Sequence, residues 1–137
     1  MGASAERFEK LVKVLKDLED LPPNYVILVE GVKDRAALGI LGIDRDIRTI
    51  QGSGGMLQVA EQLKKEGRHA VILTDWDRTG GQLSRLLKEA LSSNQVKYDD
   101  DIRARLSRIS RKDIKDVESL PALYSHLATE NVRRREQ

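Results

Sequence analysis

The chain has no cysteine and only two histidines, His69 and His126, among its 137 residues. Disulfides, thiolate zinc sites and a cysteine nucleophile are thereby excluded, and so is an imidazole-rich metal cluster. Any metal must be held by oxygen. Long apolar runs are missing too: none approaches the roughly 20 residues that a membrane-spanning helix needs, and no membrane partner is expected. No charge of one sign dominates, since 24 basic and 22 acidic residues leave a formal charge of +2, too balanced to demand a nucleic-acid partner by itself. Met1, Gly2, Ala3 and Ser4 lead into a charged amphipathic pattern with no apolar signal region, so a cytoplasmic location is expected. Internal repeats and low-complexity tracts are absent.

What is present is the composition of a globular domain, 39% hydrophobic and 34% charged, with enough chain to bury a single core. Phe8, Leu11, Val12, Leu15 and Leu18 recur at helical spacing, which predicts an N-terminal amphipathic helix over Ser4 to Leu21 with Ser4 as its cap. Pro22 and Pro23 end it. Tyr25 to Glu30, YVILVE, has the pattern of a buried strand that ends on an acid followed by Gly31. Ala36, Ala37, Ile40 and Leu41 give the next helix its apolar face, and Gly42 closes it. Ile47 to Ile50 reads as a short strand. A turn at Gly52, Gly54 and Gly55 precedes a helix marked by Met56, Val59, Ala60 and Leu63 and stopped by Gly67.

Ala70 to Leu73 is another buried strand, and Leu83, Leu86, Leu87, Ala90 and Leu91 mark the helix after it. Strands alternating with helices of this length predict a mainly parallel sheet of about four strands with helices on both faces. The last third is less legible. Asp99 to Asp101 caps a helix carrying Ile102, Leu106 and Ile109; an edge strand is expected within Lys112 to Glu118; and Leu120 to Leu127 reads as helical. Arg133 to Arg135 are expected to be solvated and frayed. The chain divides into an N-terminal helix, 1–23, and a domain over 24–137 with a helical C-terminal extension, one compact unit in all.

The chemistry concentrates in Ala70 to Gly81, AVILTDWDRTGG, which reads as strand, acidic loop, helix. Asp75 and Asp77 stand at the mouth of a buried strand, where two carboxylates repel unless a cation lies between them. Asp77 and Thr79 also suit the plainer job of capping the following helix. If the Tyr25 and Ala70 strands are neighbours at a switch point of the sheet, Glu30 converges with Asp75 and Asp77. Three carboxylates in one pocket predict magnesium or manganese, hard cations that suit phosphate chemistry.

Two stretches, VEGVKDRAAL with Glu30 and Asp34, and TDWDRTGG with Asp75 and Asp77, each at a strand end and in this order, resemble the Toprim domain of topoisomerases, primases and small RNA-processing nucleases. The resemblance covers roughly Tyr25 to Leu91 and implies a Toprim-like, Rossmann-like α/β fold close to the stand-alone small Toprim, primase-like proteins. It implies Glu30 as a proton-transfer and metal-binding group, Asp75 and Asp77 as metal ligands, and Asp34 in support, with two ions when substrate is bound. Lys33, Arg35 and Arg78 flank the acids and either hold phosphates or are solvated helix-end residues. Trp76 either stacks a base or is buried at the sheet edge. The Gly52 to Gly55 turn either approaches a phosphate or only turns. Arg105, Arg108 and Lys112 form a basic stripe facing nucleic acid or water. Tyr25, Tyr98 and Tyr124 are not proposed as nucleophiles, because the covalent tyrosine of topoisomerases comes from another domain.

Three functions compete. The first is a magnesium-dependent enzyme on RNA or DNA phosphodiesters, a nuclease or nucleotidyl transferase. The second is a phosphatase, since ILTDWDRT also resembles the haloacid-dehalogenase motif, with Asp75 as nucleophile and Asp77 as acid/base. That motif normally opens the first strand of its domain and leaves Glu30 without a role. The third is a non-catalytic module that binds nucleic acid or a protein assembly.

Overall fold

The computed structural model describes residues 3–136. Alternating strands and helices are observed: α1 (Ala3–Glu19), β1 (Tyr25–Val29), α2 (Val32–Ile40), β2 (Ile47–Thr49), α3 (Met56–Glu66), β3 (His69–Ile72), α4 (Arg78–Ser93), β4 (Tyr98–Asp99), α5 (Asp101–Ser110) and α6 (Leu120–Glu136). The four strands form one sheet in the order β2-β1-β3-β4, and every pairing is parallel. Among the described residues no helix is long and apolar enough to cross a membrane.

The two central strands are apolar throughout because both of their faces are covered. Side chains alternate across a strand, so β1 and β3 feed two cores. Ile27, Val29, Val71 and Leu73 face one, packed with Leu11, Leu15 and Leu18 of α1, Leu38 of α2, Leu106 of α5 and Leu123 of α6. Val26, Leu28, Ala70 and Ile72 face the other, against Val59 and Leu63 of α3 and Leu87 and Leu91 of α4. Each fully buried leucine contributes about 1.5–3 kcal/mol over its exposed state.

The helix after β1 therefore lies on one face and the helix after β3 on the opposite face, while Tyr25↔His69 through Leu28↔Ile72 pair directly. The expected switch point between the Tyr25 and Ala70 strands is present. The α1 helix is locked to the sheet by Arg45, whose guanidinium donates to the carbonyls of Glu19, Leu21, Pro22 and Tyr25 at 3.0, 2.6, 2.7 and 2.9 Å.

Three expectations are corrected. The edge strand is Tyr98–Asp99, not a segment of Lys112 to Glu118, which is irregular; Ile114, Val117 and Leu120 do not line a strand face but anchor that segment in the first core. The buried stripe of α2 is Asp34, Ala37 and Leu38, while Ile40 is 75% exposed, because the inward turn of Asp34 fixes which face meets the sheet. Arg133 to Arg135 are exposed as expected, yet they continue α6 as regular helix.

Candidate functional site

The carboxyl ends of β1 and β3 are sewn together by a side chain. Past Val29, Glu30 turns its carboxylate to β3, and Oε2 accepts the Asp75 N–H at 2.8 Å. The Leu73 N–H to Leu28 carbonyl bond, 2.9 Å, extends the strand ladder to the brink of this contact. Glu30 and Asp75, 45 residues apart in sequence, thus meet where the sheet leaves its topological switch point.

Each acid uses one oxygen to hold the loops. Asp75 Oδ1 accepts the Val117 N–H at 3.0 Å, and Asp34 Oδ2 accepts the Gly31 N–H at 3.0 Å. Asp77 is the N-cap of α4, its Oδ1 accepting the Gly80 N–H at 2.7 Å. Among the described residues the second oxygens of Glu30, Asp75 and Asp77 have no hydrogen-bond donor. The capping job anticipated for Asp77 is real, and it leaves half of the carboxylate for other work.

Gly80 is required by the loop geometry. A Cβ there would fall on the Asp75 carbonyl and lie 2.9 Å from its Cα. The Thr74 hydroxyl, fully buried, donates to the Gly80 carbonyl at 2.9 Å, closing the turn. The first glycine of the RTGG stretch lets α4 start directly behind the acid.

The last third of the chain completes the site. Arg103 of α5 reaches the loop, its Nε donating to the Thr74 carbonyl at 2.9 Å and its Nη2 to the Asp75 carbonyl at 2.8 Å. The irregular segment before α6 lies across the loop as well: the Trp76 N–H donates to the Lys115 carbonyl at 2.9 Å and Trp76 Nε1 to the Ile114 carbonyl at 3.0 Å. Trp76 packs against the first core, so it is an anchor at the sheet edge. It is half-buried there.

Negative charge accumulates here. Burial pushes the Asp75 carboxyl up to about 7; the Val117 N–H opposes this, while the charges of Glu30, Asp34 and Asp116 add to it. Burial also raises Asp34, opposed by the Gly31 N–H, with Glu118 and Asp116 adding their repulsion. Arg103 offsets part of the excess through space, although its Nε and Nη2 are committed to carbonyls and pair with no carboxylate. Burial lowers its pKa against the pull of Glu30, Asp100, Asp75 and Asp77.

An oxygen-only donor set with one spare oxygen on each of three acids suits a hard divalent cation. Among the described residues no three acidic or histidine side chains stand in a ready-made metal cage. Holding a cation would require Glu30, Asp75 and Asp77 to come closer together than they stand here.

The flanking cations contribute less. Lys33, Arg35 and Arg78 are exposed. Gly52 donates to Thr49 Oγ1 at 2.9 Å, and Gly54 and Gly55 take φ of +91° and +119°, a turn into α3. Arg103, Asp116, Glu118 and the Val117 amide were not singled out from the sequence. The only written signal was Asp116 and Glu118 flanking an apolar Val117.

Comparison with known proteins gives relatives along most of the chain. It is 35% identical over 123 residues to a UPF0292 protein of Methanosarcina acetivorans, covering 89% of this chain and 85% of that one. To a UPF0292 protein of Thermococcus sibiricus it is 35% identical over 120 residues, covering 88% and 92%. Among solved structures it is similar to a putative protein from Aquifex aeolicus, with a TM-score of 0.68 and 28% identity over 80% of this chain and 96% of that one. No protein-family model matches.

Proposed function

The chain belongs to the UPF0292 family, and from its own geometry we propose that it is a magnesium- or manganese-dependent Toprim-type enzyme acting on nucleic-acid phosphodiesters, as a nuclease or nucleotidyl transferase in the cytoplasm. The observation that carries this reading is the Glu30 carboxylate seated on the Asp75 N–H between adjacent parallel strand ends. This contact between the acid of VEG and the backbone of the first acid of TDWD supports the Toprim resemblance.

In this reading Glu30, Asp75 and Asp77 offer their spare oxygens to the cation. Bound there, divalent ions supply charge stabilisation to the attacking and leaving oxygens of phosphoryl transfer. In this reading Glu30 Oε1 serves one role at a time, joining the cation or taking and giving a proton at the phosphodiester. Arg103 holds the Thr74 and Asp75 carbonyls and so fixes the loop from which two of the acids project. The Ile114 to Val117 segment keeps Asp75 partly out of water. A phosphatase using Asp75 as nucleophile gives Glu30 no chemical job, and a purely binding module gives it no reason to matter for turnover.

The test is an activity screen with magnesium or manganese against RNA, DNA and nucleotides, with Glu30→Gln alongside. Gln keeps a side-chain oxygen for the Asp75 N–H, so the fold is expected to survive. Turnover should fall by about 10²- to 10⁴-fold, the usual cost of losing a proton-transfer group. Full metal-dependent activity in the variant, or a phosphoryl group trapped on Asp75, would defeat the proposal.

A further inference from the structure

Of the half-buried arginines, Arg7, Arg48, Arg68 and Arg105 each pair with a carboxylate. Arg45 pairs with none, but four carbonyls occupy all the donors of its two terminal nitrogens. Arg103 of α5 follows neither pattern. Its Nε and Nη2 donate once each, to the Thr74 and Asp75 carbonyls. Among the described residues it pairs with no carboxylate, and Nη1 has no hydrogen-bond partner.

That unused nitrogen is open. Among the described residues the buried side-chain polar atoms without a partner are Arg45 Nε, His69 Nδ1 and Ser84 Oγ, so water reaches the free edge of the Arg103 guanidinium. On the side of α4 it meets a glycine, Gly81, where a Cβ would come within 3.9 Å of Nη2; a long side chain there would crowd the guanidinium.

Tying down two carbonyls takes two N–H groups and no charge, and half-burying a cation opposes folding. The charge therefore has a use besides the tie. Glu30, Asp100, Asp75 and Asp77 all act on it through space; Asp100 is paired with Lys88 at 2.7 Å, and the other three are the acids of the candidate site. Clamped at Nε and at one Nη2 hydrogen, the planar guanidinium keeps both Nη1 hydrogens and the other Nη2 hydrogen for a ligand. A fixed fork of this kind matches the oxygens of a phosphoryl group.

We propose that Arg103 is a substrate-binding residue, whose Nη1 and remaining Nη2 hydrogen donate to the non-bridging oxygens of the phosphoryl group while its other donors keep the Thr74 and Asp75 carbonyls. This rests on the function proposed above, because Glu30, Asp75 and Asp77 repel an anion that arrives without a divalent cation.

The experiment is calorimetry on the full chain: magnesium is titrated first, then inorganic phosphate into the magnesium-loaded protein, for wild type, Arg103→Gln and Arg103→Lys, with folding checked by circular dichroism. Gln and Lys each keep a donor for a carbonyl, and only Lys keeps the charge. Phosphate affinity should fall about 10- to 100-fold in Arg103→Gln, the usual loss with a charge-assisted hydrogen bond, and recover in part in Arg103→Lys. Magnesium affinity in Arg103→Gln should stay the same or rise, since removing a cation beside the acids favours another. A purely structural tie gives a different result, with Gln and Lys alike and magnesium weakened as the loop loosens. That result, or unchanged phosphate affinity in folded Arg103→Gln, would overturn the inference. Wild type that binds magnesium but no phosphate overturns it too and leaves the reading of the acids intact, whereas wild type that binds no magnesium defeats that reading and this inference with it.

Discussion

Replacing Asp75 by Asn should make the protein more stable and chemically useless. In the folded protein burial raises this carboxyl from 3.8 to about 7, with neighbouring acids adding to the effect. Between those values the native state holds a proton that the unfolded chain has released, so stability falls as pH rises from about 4 to about 7. At 1.36 kcal/mol per pH unit the full shift corresponds to about 4 kcal/mol. Water reaches this partly exposed side chain, and screening reduces the expected penalty to about 1–2 kcal/mol. Asn removes the charge but keeps an oxygen for the Val117 N–H, and its amide finds acceptors in the acids around it. Urea unfolding in EDTA should show Asp75→Asn ahead of wild type by about 1–2 kcal/mol at pH 8, on the order of 5 °C in Tm, with the gap closing by pH 4. The difference between the two proteins cancels the titration of distant groups. Magnesium at about 100 times its Kd should then lift wild type alone by about 2.7 kcal/mol and reverse the ranking. A gap that does not depend on pH, or a variant less stable than wild type at pH 8, would refute the electrostatic reasoning.

The remaining predictions concern the loop after β3. Gly80→Ala places a methyl group on the Asp75 carbonyl and should cost on the order of 3 kcal/mol in urea unfolding. Gly81→Ala, where a Cβ has nothing nearer than Arg103 Nη2 at 3.9 Å, should be neutral or gain up to about 1 kcal/mol; equal effects at the two sites would show that the close approach is not what selects glycine. Asp77→Asn keeps a good N-cap and should leave stability within about 0.5 kcal/mol while weakening magnesium binding in calorimetry, whereas Asp77→Ala should lose about 1 kcal/mol as well. Unchanged magnesium affinity in Asp77→Asn would restrict that carboxylate to capping.

What could be read beforehand was whatever repeats or runs. The apolar runs of β1 and β3, the glycines that close helices and the acids at the strand ends were all visible, because a doubly covered strand has no polar residues to blur it. Their adjacency was only a condition in the sequence, met by the sheet order β2-β1-β3-β4. The last third hid its role for physical reasons. A two-residue strand, Tyr98–Asp99, has no periodicity to detect, and the three-residue spacing of Ile114, Val117 and Leu120 does not follow the two-residue alternation of a strand, so no periodic signal marks them as anchors. Arg103 stood among many arginines, and only a folded chain shows which of them turns inward to take two carbonyls. Asp34 misled in a different way: an acid on the buried face of α2 contradicts the rule that assigns helix faces, and it is tolerated because Gly31 and the pocket receive it.

The segment that carries Val117 across Asp75 also orders events in time. The bond it makes spans 42 residues and the Glu30 to Asp75 bond spans 45, both non-local contacts of the kind that form late in folding. On the ribosome, where domains emerge from the N-terminus, β1 and β3 are free to pair while residue 117 has not yet been made. Until then the Val117 N–H is missing from Asp75, and the part of the sheet face that α5 and α6 cover is bare. A chain cut short before residue 117 carries both acidic motifs without the residues that close over them.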